Sequence, residues 1–213
     1  MRKKKIIITG GLGYIGTELC KLYSGVSWFH NIIIIDNRFI SERVNQIRNW
    51  NMEFIQGDIL DKDLVQKYCK NADVVHHLAG ITDVPRTQSE TSKAQDEKII
   101  EVGERGTQNI LDSISDKCKI IFPSTHVVYE GINEVKTNIM EDEQLKPVLS
   151  YSSSKAINEN QLKRSGKNYV ILRLGSVYGY STDSMRIDIM PNLFSKIASQ
   201  NGTLKLFAGG RQI

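Results

Sequence analysis

Cysteine is scarce in this chain, and it is poorly placed for either of its common structural uses. The three cysteines, Cys20, Cys69 and Cys118, are odd in number and far apart, form no Cys-x-x-Cys pair and have no histidine at ligand spacing. A disulfide framework and a zinc site are therefore both excluded, and no metal is expected. Long apolar runs are missing as well. Nothing approaches the roughly 20 consecutive apolar residues of a spanning helix, so no membrane contact is expected. The basic stretch Arg2–Lys5 followed by Ile6–Ile8 imitates the start of a signal peptide, but the apolar part is three residues long and runs into Thr9-Gly10-Gly11. It reads as a first strand, and the cytoplasm as the expected address. Basic stripes interleaved with aromatics are also absent. The formal net charge of +4 owes part of its excess to the N-terminal lysines. Nucleic acid is thus not an expected partner, although a small surplus of this sign favours an anionic ligand. No low-complexity linker and no repeat of solenoid period interrupts the chain.

What remains is an ordinary globular composition, 40% hydrophobic and 24% charged, in 213 residues. That is enough for one substantial α/β domain with a small appendage. Short β-branched runs alternate with longer amphipathic stretches. The runs are Lys5–Thr9, Ile32–Asp36, Glu53–Ile55, Asp73–Leu78, Lys119–Pro123 and Tyr169–Leu174. Their continuous apolar character, without in/out alternation, predicts a parallel sheet covered on both faces. Helices are predicted near Ile15–Ser24, Asp61–Lys70, Ala94–Ser115, Ser152–Ser165 and Ile189–Gln200, with a seventh strand near Leu204–Phe207. Such alternation reads as a doubly wound α/β fold.

The first strand runs into a glycine turn in which Gly10, Gly13 and Gly16 are spaced three apart. Glycines there permit positive φ, close approach of backbone to a pyrophosphate, or tight helix–strand packing. The helix starting near Tyr14 would offer free N–H groups and its positive end to phosphates. Alone, this pattern is also met in plain turns. The second strand, Ile32-Ile-Ile-Ile-Asp36, ends in a carboxylate twenty residues after Gly16, where a ribose 2′-hydroxyl acceptor is expected. Together the two features point to dinucleotide binding. Asp36 favours NAD because it would repel a 2′-phosphate, and the neighbouring Arg38 opposes that preference.

Four further stretches follow in order: Gly57-Asp58-Ile59, His76-His77-Leu78-Ala79-Gly80, Ser124-Thr125-His126-Val127-Val128-Tyr129, and Tyr151-Ser-Ser-Ser-Lys155. With the triple-glycine turn, this series resembles the extended short-chain dehydrogenase/reductase family, of the NAD-dependent nucleotide-sugar epimerase/dehydratase type. The likeness implies a Rossmann-type fold with NAD as cofactor and a nucleotide sugar as substrate. It implies cofactor contacts from Gly10, Gly13, Tyr14, Ile15, Gly16, Asp36, Asn37, Asp58, Ile59, Leu78, Ala79, Gly80, Tyr151 and Lys155. Residue by residue, plainer readings stand beside these. Asp58 also suits a cap before Leu60, and His76 and His77 suit packed strand positions better than ligands or bases.

Tyr151 and Lys155 lie four apart on a predicted helix, hence on one face. A tyrosine titrating near ~10 is a poor base at neutral pH. A neighbouring ammonium stabilises the phenolate and lowers that value. The resemblance gives Tyr151 the acid/base role, Lys155 the tuning and a ribose contact, and Thr125 the polarisation of the reacting sugar oxygen. Substrate contacts are expected from Thr125, His126 and Ser176.

The sequence also departs from the family. Where 4,6-dehydratases carry acidic residues after the Ser/Thr, His126 and Val127 stand, and Val127 cannot transfer a proton. An epimerase is therefore expected over a dehydratase, with a keto-sugar reductase or a non-catalytic NAD-binding protein as alternatives. Gly103 and Ser176 occupy positions that are usually Asn, which bears on active-site order and substrate placement. The domain boundary is expected at 177/178, with 1–177 carrying the cofactor and 178–213 opening an incomplete substrate lobe. A fragment, a truncated form and a member with a reduced lobe all fit that ending. A homodimer is expected from the apolar surplus of Ile99, Ile100, Ile110, Leu111 and Ile114 along the long helix.

Overall fold

The fold was obtained as a computed structural model that describes residues 2–82, 92–181 and 185–206. Six strands form one parallel sheet: β1 (Lys5–Thr9), β2 (Asn31–Asp36), β3 (Glu53–Gln56), β4 (Val74–His77), β5 (Lys119–Thr125) and β6 (Asn168–Leu174). Their order is β3-β2-β1-β4-β5-β6. The order reverses between β1 and β4, and that switch point opens a crevice at the carboxyl ends of the strands.

Six helices cover the sheet or follow it: α1 (Tyr14–Ser24), α2 (Ser41–Asn49), α3 (Lys62–Cys69), α4 (Lys93–Ser113), α5 (Ser150–Arg164) and α6 (Met190–Ser199). Their starts have local causes. Asp61 caps α3 by accepting from Leu64 N at 3.0 Å, and Ser92 caps α4 by accepting from Gln95 N at 3.3 Å. Pro191 sits in the first turn of α6, where its missing N–H costs nothing.

Two apolar layers result from the period of two along each strand. Ile6, Ile8, Ile32 and Ile34 pack with Val44 and Ile47 of α2 and Cys20 of α1. Ile7, Ile33, Ile35, Val75, Ile120 and Phe122 pack on the opposite face with Val65, Ile110 and Leu162 of α3, α4 and α5. All three cysteines are free and buried. Burial raises the Cys20 and Cys69 thiols to about 12 and Cys118 to about 11, which makes them inert packing residues.

The structure differs from the sequence reading at several points. Helix α2 was not foreseen, because only Val44 and Ile47 of its nine residues are buried and no side chain caps its start. Strand β5 continues past Pro123 to Thr125, with β6 paired alongside as far as Thr125↔Leu174. The seventh strand does not form over Leu204–Leu206, and Phe207 lies outside the described residues. The apolar surplus of α4 is used within the chain: Ile99, Ile110, Leu111 and Ile114 are buried, and Ile100 is half-buried. Those residues therefore give the expected homodimer no support. Among the described residues no helix is long and apolar enough to cross a membrane, and no cluster of metal-binding side chains occurs.

Candidate active site

The turn after β1 is shaped by contacts that only glycine allows. Gly10 has φ +70°, and a Cβ there would lie 2.7 Å from the backbone N of Ala79. At Gly16 a Cβ would fall 2.3 Å from the carbonyl oxygen of Gly10, so helix α1 could not seat on the turn. Gly13, in extended conformation, precedes α1 and supplies no capping side chain. The first N–H groups of the helix consequently face the crevice.

Asp36 ends β2 with its carboxylate turned inward. Its Oδ2 accepts from Leu12 N at 3.0 Å, and its Oδ1 accepts from Arg38 N at 3.0 Å and Arg38 Nε at 3.4 Å. Next to it, Asn37 donates to Asp58 Oδ2 at 3.2 Å, and Asp58 Oδ1 accepts from Leu60 N at 2.9 Å. Asp58 thus shapes its own turn, while the cap of α3 belongs to Asp61.

His77 is fully buried between three elements. Its Nδ1 lies 2.9 Å from Thr9 Oγ1 and its Nε2 lies 3.1 Å from Thr107 Oγ1 of α4. Thr9 Oγ1 also accepts from Ala79 N at 3.2 Å, so its hydroxyl proton is available to His77 Nδ1. That assignment leaves the ring proton on Nε2, facing Thr107. Burial pushes the imidazole down to about 3, with Lys155 adding to the effect. His77 is a neutral strut behind the strand end. His76 is also a packed residue, 2.8 Å from Tyr23 Oη through its Nε2.

Across the crevice, β5 and α5 bring the other candidates together. Thr125 is buried at the end of β5, and its Oγ1 accepts from Val127 N at 3.3 Å at the start of a short 3₁₀ turn, His126–Tyr129. Tyr151 and Lys155 lie one turn apart on α5. The Lys155 amine donates to Pro123 O at 2.8 Å and sits 4.5 Å from the Phe122 ring centre and 5.9 Å from that of Tyr151. Burial lowers it to about 8. The expected lowering of the tyrosine is not found: burial raises the Tyr151 phenol above its ordinary value, and the cation pulling it back is Arg186. The reason is geometric, since the lysine amine is turned to β5 and not to the phenol.

A set of hydrogen bonds holds these elements in place. Glu130 accepts from Val148 N at 2.8 Å, Leu149 N at 2.7 Å and the Ser152 hydroxyl, which pins the start of α5. Glu159, one turn beyond Lys155, is wholly buried and accepts from Ser124 Oγ at 2.6 Å. Arg173 of β6 clasps the same carboxylate, with Nε 2.9 Å from Oε1 and Nη2 2.7 Å from Oε2, and it also bonds the Tyr129 hydroxyl. Burial alone would raise this carboxyl, but the bonds and charge of Arg173 and Ser124 outweigh it and hold the value below ordinary. The strand carrying Thr125 and the helix carrying Tyr151 are thereby fastened together.

Described residues after β6 are bonded to α1 and α6 at the crevice. Tyr14 of α1 donates to Gly179 O at 2.5 Å. Asn192 of α6 is buried; it accepts from Gly179 N at 3.0 Å and donates to Arg186 O at 2.7 Å and to Tyr14 Oη at 3.4 Å. Arg186 pairs with Asp188, with Nη2 2.6 Å from Oδ2.

One continuous cleft of about 1140 Å³ results. Every residue nominated from sequence lines it: the three glycines, Tyr14, Ile15, Asp36, Asn37, Asp58, Ile59, Leu78, Ala79, Gly80, Thr125, His126, Tyr151, Lys155 and Ser176. His126 turns its Nδ1 to within 3.1 Å of Leu174 O. The sequence reading missed Glu130, Ser152, Arg186 and Asp188 in the lining. Glu130 and Ser152 sit within or beside the recognised motifs and could have been noticed there, whereas nothing around Arg186 carries a periodic or motif signal.

A parallel sheet of this order, with its cleft at the switch point, is a Rossmann-type fold. The family model described as the NAD dependent epimerase/dehydratase family matches residues 6–213, and the chain belongs to that family. Among curated relatives, UDP-N-acetyl-alpha-D-glucosaminuronate decarboxylase of Bacillus cytotoxicus is 30% identical, over 99% of this chain and 66% of its own length. UDP-glucose 4-epimerase of Neisseria meningitidis serogroup C is 31% identical over 75% of this chain and 47% of that protein. UDP-glucuronic acid 4-epimerase from Bacillus cereus, crystallised with UDP-glucuronic acid and NAD, superposes with a TM-score of 0.75 at 27% identity. It covers 97% of this chain and 67% of its own. The chain thus spans between 47% and 67% of the length of these relatives.

Proposed function

We propose that this protein is an NAD-dependent nucleotide-sugar epimerase working by reversible hydride transfer at a sugar carbon, with C4 as the favoured position. The observation carrying this reading is that the glycine turn, Asp36, Thr125, Tyr151 and Lys155 line a single cleft. Its volume exceeds the roughly 300–1,000 Å³ of an ordinary small-molecule site, as a dinucleotide plus a sugar requires. NAD supplies the hydride acceptor when bound. The N-terminus of α1 receives its pyrophosphate, Asp36 its adenosine ribose, and Asn37 with Asp58 and Ile59 its adenine. Leu78, Ala79 and Gly80 lie along it without side-chain bulk.

Tyr151 then takes the proton of the reacting hydroxyl and returns it, and Thr125 holds the same oxygen by a hydrogen bond. Burial raises the Tyr151 phenol and the charge of Arg186 partly offsets that rise. Lys155 reaches the nicotinamide ribose by turning its amine from Pro123. His126 and Ser176 border the sugar side. Val127 offers no acid for expelling water, which sets an epimerase ahead of a 4,6-dehydratase. Residues 1–177 are read as the cofactor domain and 178–213 as the opening of a substrate lobe.

Incubation with NAD and a panel of nucleotide sugars tests the reading. An epimerase interconverts two sugar isomers without net formation of reduced cofactor. Stoichiometric oxidation of NADH when a 4-keto nucleotide sugar and NADH are supplied instead would identify a keto-sugar reductase. Tight NAD binding with no conversion of any sugar would leave a binding protein.

A further inference from the structure

The amino ends of the strands, away from the cleft, carry a turn with inverted burial. Between α1 and β2 a short 3₁₀ turn, Ser27–Phe29, hides its serine and shows its aromatics: Ser27 is fully buried, whereas Trp28 is 72% and Phe29 71% exposed. Hydrogen bonds fix this turn. Val26 N donates to Tyr23 O at 3.0 Å, Phe29 N to Val26 O at 3.0 Å, and Ser27 Oγ to Ser24 O at 3.0 Å. Burying either ring gains far more than burying a hydroxyl, so a fixed turn of this polarity marks a contact surface. Leu22 in the last turn of α1 (79% exposed) and Val26 (41%) extend it. We propose that this end of the molecule lies on an anionic lipid surface, with Trp28 and Phe29 entering the headgroup boundary and the basic N-terminal segment facing the lipid phosphates.

The charges favour lipid over protein as the occupant. Lys4 N donates to His30 Nδ1 at 3.4 Å and Asn31 N to Lys4 O at 2.8 Å, so the basic segment runs directly beside the aromatic turn. Arg2, Lys3, Lys4 and, on α1, Lys21 are exposed there. From Cys20 to Asn31 the chain has no acidic residue. The carboxylate bonded to the basic segment, Asp73, already accepts from Arg2 and from Lys5 N at 2.8 Å. Protein interfaces deplete lysine at their centres. Aromatic rings flanked by lysines are instead the composition of surfaces resting at headgroup level, where each cation is also drawn to anionic lipid. The expectation of no membrane contact rests on the lack of a spanning run, and a protein lying on a surface needs none. Because β1 and β2 run from this end towards the cleft, docking here leaves the cleft mouth facing away from the lipid. The inference does not depend on the activity proposed above.

Co-sedimentation of the 213-residue chain with phosphatidylcholine vesicles, with and without about one-third phosphatidylserine, tests the proposal. The chain pellets with the anionic vesicles and not with the neutral ones, and added salt releases it. Trp28→Ser/Phe29→Ser weakens partitioning about tenfold or more. Lys3→Ala/Lys4→Ala weakens it about fivefold for each charge removed. All four side chains are exposed, so the urea midpoints of both variants stay at the wild-type value. In Trp50→Phe, Trp28 is the sole tryptophan, and its emission shifts to the blue on anionic vesicles. No binding to those vesicles overturns the proposal. Binding that Trp28→Ser/Phe29→Ser retains in full also overturns it, reducing the effect to adsorption of a basic chain. Self-association that this variant abolishes in light scattering, without vesicle binding, would overturn it too and assign the patch to a second copy of the chain.

Discussion

The two walls of the cleft are built by different means. The wall formed by β1, α1 and β2 is mostly backbone: close contacts at Gly10 and Gly16, extended Gly13, and isoleucines buried on both faces of the strands. The wall formed by β5, α5 and the segment after β6 is held by side chains, through Glu130, Glu159, Arg173 and Asn192. A backbone wall changes shape only if the chain itself moves. A side-chain wall can lose one partner and keep its fold, so its function and its stability are separable by mutation.

The largest expected effect uses that separability. Tyr151→Phe removes one hydroxyl from the side-chain wall and nothing from the other. Turnover of the nucleotide sugar should fall by about 10²–10⁴-fold, the usual share of a positioned acid or base. NAD affinity, measured by calorimetry, should change little. Full activity in the variant would place the proton transfer elsewhere in the cleft.

Lys155 gives a smaller effect of calculable sign. Burial sets its amine at about 8 in the folded chain, against ~10.4 in an unfolded one. Between these values the unfolded chain binds more protons, so stability rises with pH across that window. Below about 8 both states carry the charge, and the full burial cost is present, on the order of 3 kcal/mol. Lys155→Met should therefore be more stable than wild type at pH 7, less whatever is lost with the bond to Pro123 O. Its advantage should shrink as pH approaches 10. Urea unfolding at both pH values reads the difference, and a gap independent of pH would mean that the amine is not desolvated as described.

The contrast between the walls also explains what could be read from sequence. Backbone geometry leaves a compositional trace, because close approach at Gly10 and Gly16 demands glycine and a doubly covered strand demands runs such as Ile32–Ile35. The fold, the glycine turn and the Tyr151/Lys155 helix were legible for that reason. Side-chain networks leave no such trace. Nothing in the spacing of Glu130, Val148 and Ser152 announces that one carboxylate ties them, and nothing around Arg186 announces that its charge acts on Tyr151. The orientation of Lys155 towards Pro123 was equally invisible, since helical spacing fixes a face and not a rotamer. Helix α2 escaped because two buried residues in nine make too narrow a stripe to show a period.

Gly16→Ala probes the backbone wall. A methyl group would meet the carbonyl oxygen of Gly10 at 2.3 Å and the backbone of Gly11 at 2.7 Å, and neither is a flexible side chain. Relief requires α1 to shift from the turn, at a cost of about 1–3 kcal/mol for overpacking. Stability and NAD affinity should fall together, the opposite of the separation expected for Tyr151→Phe. Denaturant melts and nucleotide titration on one preparation would show it. Loss of stability with intact NAD binding would mean that the phosphate site does not lie on this turn.

Asn192→Ala should have the smallest effect on the whole molecule and a sharply local one. Its amide joins Gly179, Arg186 and Tyr14, linking the segment after β6 to the phosphate-turn helix. Truncation leaves Gly179 N and Arg186 O to find water, which costs each about 1 kcal/mol or more where they are buried. That cost falls beside the cleft and not on the sheet, where Ile7, Ile120 and Phe122 carry the core. The midpoint of global unfolding should move by a few degrees at most. Amide exchange should accelerate around Gly179 and at the start of α6, while β1 and β2 keep their protection. Because the charge of Arg186 opposes the rise of the Tyr151 phenol, its looser placement should also shift the ascending limb of the pH–activity profile upward. A uniform rise in exchange across the sheet would show that the two walls unfold as one unit.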